Sequence, residues 1–188
     1  MHQANASKNL LVLGTAQDGG YPHTGCSENC CREAWEDSSQ KRLIASLAAL
    51  DGNDCFLIDI TPDFKYQLQL IERHVNDKPR ISGICITHAH LGHYMGLLEL
   101  GLEAMNTNAI PVYVMPKMKS FLENNAPFIQ LLELNNIHLN VLQDNCPVEI
   151  CKDVSITPFQ VPHRNEYSET VGYRIQSSRQ SVLYIPDI

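Results

Sequence analysis

The sequence lacks any apolar run near the roughly 20 residues that a membrane-spanning helix needs. The run Leu10 to Leu13 is also too short for the core of a signal peptide. These absences predict a soluble protein with no membrane partner. The polar start at residues 1–8 is compatible with the trimming of a natural export signal, so the sequence leaves the compartment open.

Positive charge is scarce as well. There are 14 Lys and Arg residues against 21 Asp and Glu residues, which gives a net charge of -7 at pH 7, and the basic residues form no cluster. Non-specific attraction to nucleic acid or to anionic lipid should therefore be weak. A small-molecule substrate is the simpler expectation for a partner.

The 188 residues, 44% of them hydrophobic, suit a single globular domain over 1–188. The seven cysteines are an odd number, and Cys55 and Cys85 lie inside apolar runs, where free thiols pack as small hydrophobic groups. This use of cysteine favours a reducing compartment and predicts a cytoplasmic protein. Cys146 and Cys151 could form a disulfide in an exported protein, but we expect them to be free.

The apolar pattern changes along the chain. The first part alternates strands with helices, and the turn signal 51–53 predicts a hairpin. From 137 onward the pattern is typical of strands alone. Strands are predicted at 9–13, 43–50, 54–60, 81–86, 111–115, 137–142, 148–151, 154–161, 170–176 and 181–185, and helices at 62–75, 97–105 and 117–125. The segment from 14 to about 31 has no periodicity, and such long loops are usually functional.

Three histidines within six residues follow the strand-like run 81–86 directly. His88 and His90 are two residues apart and should point the same way where the strand stops, while His93 arrives from the other side of the turn. Imidazole is a common ligand of zinc and similar ions. The segment therefore predicts a metal site, with a histidine-rich surface turn as the alternative.

Two further candidate ligands also follow apolar strand-like runs. His163 ends the run 156–162, and Asp187 closes the run 181–186. Taken alone, each would be an ordinary surface or turn residue, but both are expected where the histidine loop lies. Asp59 ends another predicted strand, so it could hydrogen-bond the histidine loop from behind or cap the following helix.

A second cluster lies in the long first loop and contains His23, Cys26, Cys30 and Cys31. The spacing is near that of structural zinc sites, which need four donors. Four donors are available only if the adjacent Cys30 and Cys31 both reach one ion, which would strain a short loop. The sequence leaves a structural zinc and plain free thiols equally open.

Taken together, the order of strands, the segment 57–59 and the Thr-His-x-His-x-x-His loop resemble the metallo-β-lactamase superfamily. The segments 13–22 and 26–31 resemble the branch that contains pyrroloquinoline quinone biosynthesis protein B. The resemblance implies an α/β protein with an αββα sandwich whose second half is incomplete here, and one or two zinc ions, with iron or manganese as alternatives. It places His88, His90 and His163 on a first ion and His93 on a second, with Asp187 bridging, so that Asp187 and His93 serve catalysis.

The chain departs from this superfamily in two places. Gly92 stands where the superfamily usually has an aspartate that binds the second ion, so we expect a weak second site or a single ion, unless Asp18 substitutes. The chain also stops at Ile188, where the resemblance implies a further stretch with another histidine. We therefore expect a fragment whose last strands expose apolar faces and which could self-associate.

The chemistry predicted from these residues is metal-assisted hydrolysis of an ester, amide or phosphodiester. A bound ion lowers the pKa of its water to about 7, and the resulting hydroxide attacks the substrate. The branch resemblance implies an alternative, an oxidative step in cofactor biosynthesis with a redox metal such as iron. A metal-binding protein without turnover is a third possibility.

Overall fold

The computed structural model describes residues 9–188, so the polar start at 1–8 lies outside the described residues. The strands are β1 (Asn9–Gly14), β2 (Ser46–Asp51), β3 (Asp54–Ile58), β4 (Arg80–Cys85), β5 (Ile110–Val114), β6 (Ile137–Val141), β7 (Val148–Cys151), β8 (Val154–Gln160), β9 (Val171–Ser177) and β10 (Ser181–Tyr184). The α-helices are α1 (Asn29–Glu36), α2 (Phe64–Glu72), α3 (Leu91–Tyr94), α4 (Pro116–Glu123) and α5 (Ala126–Glu133). This is the α/β class that the sequence predicts.

The first six strands form one sheet in the order β1-β2-β3-β4-β5-β6. The pairs from β1 to β3 are antiparallel, and those from β3 to β6 are parallel. The predicted hairpin between β2 and β3 is confirmed, and Gly52 adopts a φ of +64° in its turn. That left-handed conformation favours glycine over residues with a Cβ.

The last four strands form a second, antiparallel sheet in the order β10-β9-β8-β7. One face of each sheet contributes to a shared core. Phe56 and Ile58 of β3 point into it and meet Ile156 and Tyr173 of the second sheet. The two sheets are therefore the two inner layers of a sandwich.

The alternate residues of β3, Cys55 and Leu57, lie in a second core on the other face of the first sheet. This division follows from the two-residue repeat of side chains along a strand. The helices pack on that face through Phe64, Ile71, Met118, Leu122, Phe128 and Leu131. A helix layer thus covers the outer face of the six-stranded sheet.

Two of the predicted helices differ from those observed. The helix predicted at 62–75 is shorter, because Thr61 Oγ1 accepts a hydrogen bond from the Asp63 N–H in a turn before α2. In place of the helix predicted at 97–105, α3 is followed by a 3₁₀-helix over Met95–Leu100, which ends where the Gly101 N–H donates to the Leu98 carbonyl. No prediction covered α5.

The site lies at one edge of the sandwich. Asp59 follows β3, the histidine loop follows β4, and His163 and Asp187 follow β8 and β10. The carboxyl ends of neighbouring parallel strands lie at one edge of a sheet, so β3 and β4 deliver their following residues together. Within residues 9–188, no helix has the length and apolar character required to cross a bilayer.

Candidate metal centre

Four of the predicted ligands meet at one point. One donor atom from each of His88, His90, His163 and Asp187 lies within 4.8 Å of the other three. His88 Nε2 is 2.8 Å from His90 Nδ1 and 3.2 Å from Asp187 Oδ2. His163 Nε2 is 3.3 Å from His90 Nδ1 and 3.6 Å from Asp187 Oδ2. The structure thus brings together residues from three separate loops.

This arrangement fits a cation. Ligands about 2.05 Å from a tetrahedral zinc ion stand roughly 3.3 Å from one another, which is close to the spacing found here. His88 Nε2 and His90 Nδ1 face the same space, and the Asp187 carboxylate adds an oxygen that accepts. Such a set of acceptors is stabilised by a metal ion or by shared protons. His88, His90, His163 and Asp187 would hold the first ion.

Asp187 also belongs to a second group of donors. Asp18, His93 and Asp187 each offer one atom within 4.8 Å of the others. His93 Nε2 is 3.1 Å from Asp18 Oδ1 and 3.4 Å from Asp187 Oδ2. Asp18 is therefore the residue of the long first loop that reaches the histidine loop, as one of the sequence-based alternatives required.

Asp59 holds the histidine loop from behind, as predicted. Its carboxylate is fully buried and accepts hydrogen bonds from the Thr87 N–H at 2.8 Å, the Thr87 hydroxyl at 3.0 Å and His93 Nδ1 at 2.8 Å. The Tyr184 hydroxyl donates to it as well, at 3.2 Å. Because Nδ1 of His93 carries the proton shared with Asp59, Nε2 faces the site. The alternative role of Asp59, a helix cap, is not what the structure shows, since the N-cap of α2 is Asp63.

The protonation of the site follows from burial and from these carboxylates. Burial lowers the pKa of His88, which favours the neutral ring that binds metals. Burial also disfavours charge on His93, but the Asp59 charge and the contacts with Asp18 and Asp187 outweigh it and raise the pKa of His93 to about 12. Hydrogen bonds from His88 and His93 hold the pKa of Asp187 well below its usual range. The site therefore carries an excess of negative charge around His93.

Several residues that support the loop had no signal in the sequence. The buried Ser168 hydroxyl accepts a hydrogen bond at 2.8 Å from the N–H of Ala89, which lies between His88 and His90. The buried Tyr173 hydroxyl donates at 2.7 Å to the Ile86 carbonyl, just before the loop. Serines and tyrosines with these spacings are common, so only the tertiary structure identifies them.

The second predicted cluster is only partly assembled. The thiols of Cys26, Cys30 and Cys31 lie within 4.8 Å of one another. The adjacent Cys30 and Cys31 both take part because they lie at the start of α1, where the sequence predicted a loop. The His23 N–H donates to Cys31 Sγ at 3.3 Å, but the ring lies against Gly19 with Nδ1 3.0 Å from the Thr24 carbonyl. This corrects the open possibility that the His23 ring is a fourth zinc donor. Cys146 is a free thiol, so it forms no disulfide with Cys151.

Two clefts open beside the ligands. One, of about 220 Å³, lies directly over the site and is lined by Gln17, Asp18, Gly19, His23, His90, His163, Arg164 and Asp187. A larger cleft of about 570 Å³ shares Asp18 and Gly19 with it, and its other walls include Trp35, Lys41, Tyr66 and Leu91. The volume of the larger cleft lies within the range of about 300 to 1,000 Å³ that is usual for small-molecule pockets.

Comparison with known proteins identifies the family of this chain. The family described as the Beta-lactamase superfamily domain matches residues 55–188. Coenzyme PQQ synthesis protein B from Xanthomonas campestris pv. campestris (strain B100) is 27% identical over 198 residues, which cover 94% of this chain and 64% of that protein. The same protein from Rhodopseudomonas palustris (strain BisB5) is 30% identical over 131 residues, covering 66% of this chain and 41% of the relative. The chain thus spans less than two thirds of the length of these relatives.

Solved structures show the same fold. Zn²⁺-bound PqqB from Methylobacterium extorquens superposes with a TM-score of 0.80 at 24% identity, covering 94% of this chain and 64% of that one. A diphosphatase from the PhnP family gives a TM-score of 0.64 at 24% identity, with 88% and 61% coverage. The chain has the metallo-β-lactamase fold, is similar to PQQ synthesis protein B, and belongs to the β-lactamase superfamily.

Proposed function

We propose that this chain forms the metal-binding part of an enzyme that hydrolyses an ester, amide or phosphodiester bond in a small substrate. The observation that carries the proposal is the convergence of His88, His90, His163 and Asp187 on one point beside an open cleft. A zinc ion held by these residues would supply an activated water molecule at neutral pH and would polarise the substrate oxygen. Iron or manganese would suit the same histidine and carboxylate donors.

The protein's own residues would bind and orient the reacting groups. Asp59 fixes the ring of His93, and Asp187 belongs to both groups of donors. His93 and Asp187 would therefore act at the point of reaction. No serine or cysteine nucleophile is required, since water is the attacking group. The small cleft over His90 and His163 leaves room for a substrate oxygen to approach the ligands.

The larger cleft supports a substrate with an apolar or aromatic portion. Trp35, Tyr66 and Leu91 are each more than half exposed and line this cleft, where they offer apolar contact area. Lys41 on the same wall adds a cation that would favour an anionic substituent. We therefore propose a small anionic substrate as the partner, and neither nucleic acid nor a membrane.

The experiment that tests the proposal measures metal content and hydrolysis together. The chain is purified without oxygen, its metals are determined by mass spectrometry, and p-nitrophenyl acetate and bis(p-nitrophenyl) phosphate are assayed with added Zn²⁺ or Mn²⁺. The double variant His88→Ala with His90→Ala should lose both the metal and the activity. The matched control is His138→Ala, because His138 is exposed on β6, outside the ligand groups. Full activity in the double variant would refute the proposal.

A redox role in cofactor biosynthesis is the second candidate. It is favoured by the match over 94% of this chain to coenzyme PQQ synthesis protein B. Histidine and carboxylate ligands alone do not separate zinc from iron. Iron in the anaerobically purified protein, together with oxygen consumption that depends on His88 and His90, would favour this candidate over hydrolysis.

A further inference from the structure

The carboxylate of Asp18 occupies the space that a side chain at position 92 would fill. A Cβ built on Gly92 would lie 2.6 Å from Asp18 Oδ1 and 2.8 Å from Asp18 Cα. Both distances are below any normal non-bonded contact between these atoms, so the loop around Asp18 can hold its present position only if residue 92 is glycine. The two positions, 74 residues apart, are sterically coupled.

The space in question lies beside His93 and Asp187. Asp18 Oδ1 is 3.1 Å from His93 Nε2, and the donor atoms of Asp18, His93 and Asp187 form a group within 4.8 Å. Asp187 also belongs to the group with His88, His90 and His163. A carboxylate shared by two neighbouring groups of donors is the arrangement that holds paired ions in two-metal sites.

The donor groups at this position also suit a cation. Three carboxylates, Asp18, Asp59 and Asp187, surround the single ring of His93 through hydrogen-bonding distances of 2.8 to 3.4 Å. Carboxylate oxygens and imidazole are the donors that zinc and manganese share.

We infer that Asp18 is the carboxylate ligand of a second metal ion, bound with His93 and Asp187, and that Gly92 is what admits it. The inference rests on the proposed function, because it needs the first ion group to bind metal. It replaces the expectation that a glycine at position 92 leaves the second site weak. The carboxylate is supplied from the first loop of the chain rather than from the histidine loop.

The test is a Zn²⁺ titration by calorimetry, with the bound metal counted by mass spectrometry. All proteins in it carry Cys26→Ser and Cys30→Ser, because the thiol cluster at α1 would otherwise add an ion to the count. The protein with only these two substitutions is the reference and is called the wild type in this test. The variant Asp18→Asn keeps the size of the side chain and removes its charge. Gly92→Ala changes no ligand, but its methyl group would displace Asp18. Asp77→Asn, at an exposed aspartate in the turn after α2, is the matched control. Circular dichroism of each metal-free variant establishes that it is folded.

The wild type and Asp77→Asn should bind about two ions per chain, and both Asp18→Asn and Gly92→Ala about one, with the lost site weakened at least tenfold. Two ions in Asp18→Asn would overturn the role of Asp18, and two in Gly92→Ala would overturn the role of Gly92. One ion in the wild type would overturn the inference while leaving the proposed function in place. No bound ion in the wild type would overturn both.

Discussion

Asp59 Oδ2 accepts a hydrogen bond of 2.8 Å from Nδ1 of His93, which joins the end of β3 to the histidine loop after β4. Both side chains are buried, and Asp59 adopts a φ of 63°. That conformation is uncommon for residues other than glycine, but aspartate and asparagine tolerate it better than most. The strained position turns the carboxylate towards Thr87 and His93.

We predict that Asp59→Asn weakens Zn²⁺ binding at His93 by about 10 to 100 fold, the range measured for acids that orient histidine ligands. Asparagine keeps the left-handed backbone but removes the charge and one of the two acceptor oxygens. Zn²⁺ calorimetry on Asp59→Asn checks this, and Asp63→Asn at the N-cap of α2 serves as the control. Equal affinity in Asp59→Asn and the wild type would show that Asp59 acts on stability alone.

The stability of the metal-free protein should fall as the pH rises from 7 to 8. His93 has a folded pKa of about 12, whereas its unfolded value is about 6.5, so the folded chain keeps a proton that the unfolded chain loses. A raised pKa stabilises the folded chain fully at any pH below the pKa of the unfolded chain. This stabilisation is lost as the pH rises from the unfolded pKa to the folded pKa. The slope should approach 1.4 kcal/mol per pH unit in this window.

Urea unfolding in EDTA at pH 7.0, 7.5 and 8.0 measures this slope. His93→Gln has no titrating ring at this position and should keep only the smaller slope that the buried thiols of Cys55 and Cys85 give near pH 8, where they begin to ionise in the unfolded chain. The low pKa values of Asp18 and Asp187 do not contribute, because both acids are ionised in the folded and unfolded chain above pH 6. The same slope in His93→Gln and the wild type would contradict the assignment to His93.

Much of the fold could be predicted because its signals are local. The alternation of apolar residues and the turn at Gly52 define the β2-β3 hairpin without any knowledge of the rest of the chain. The helix predicted at 97–105 shows where local patterns fail, because they did not predict where this helix ends. A 3₁₀-helix over Met95–Leu100 presents almost the same apolar spacing as an α-helix, and its winding is set by tertiary packing of Leu97 and Leu100.

The site shows the same limit. The spacing of His88, His90 and His93 in one segment is a local signal. His163 and Asp187 could be predicted as ligands because each follows a predicted strand. His23 was a candidate zinc donor because its neighbours in sequence are thiols, whereas the fold turns its ring towards Gly19 and the cleft. The acceptor for the Ala89 N–H comes from Ser168, and a partner 79 residues away leaves no pattern in a single sequence.

The cysteines should differ sharply in their reaction with iodoacetamide at pH 8 in EDTA. Burial raises the pKa of Cys55 to about 12 and holds that of Cys85 well above its usual value, so both should stay unmodified in the folded chain. The exposed Cys146 should react. Cys26 should react as well, because a hydrogen bond with the Glu28 backbone lowers its pKa, whereas the neighbouring Cys26 thiol raises the pKa of Cys30 and should slow its reaction. Peptide mass spectrometry gives the extent of modification at each position.

The same labelling tests whether the three thiols at α1 bind zinc. If they do, Zn²⁺ should protect Cys26, Cys30 and Cys31 from modification, because a coordinated thiolate is a poor nucleophile. Cys146 is the internal control, since it is exposed and lies outside that cluster. Equal labelling of Cys30 and Cys146 with and without Zn²⁺ would show that these are plain free thiols.

Ser168→Ala should weaken Zn²⁺ binding by His88 and His90 although Ser168 is not a ligand. The hydroxyl accepts from the Ala89 N–H, and both residues are buried, so the variant leaves that N–H without a partner. The unpaired group should lower the free energy of unfolding by about 1 to 3 kcal/mol. It should also release the peptide that sets the directions of the two flanking imidazoles.

Calorimetry with Zn²⁺ and urea unfolding in EDTA separate these two effects. Ser155→Ala, a half-buried serine of β8, is the matched control, and it should leave the Zn²⁺ affinity unchanged. We expect an affinity about tenfold lower for Ser168→Ala, as for other groups that orient metal ligands. A loss of stability with wild-type affinity would mean that the loop keeps its shape without Ser168, because the ligands then hold their own geometry once the ion is bound.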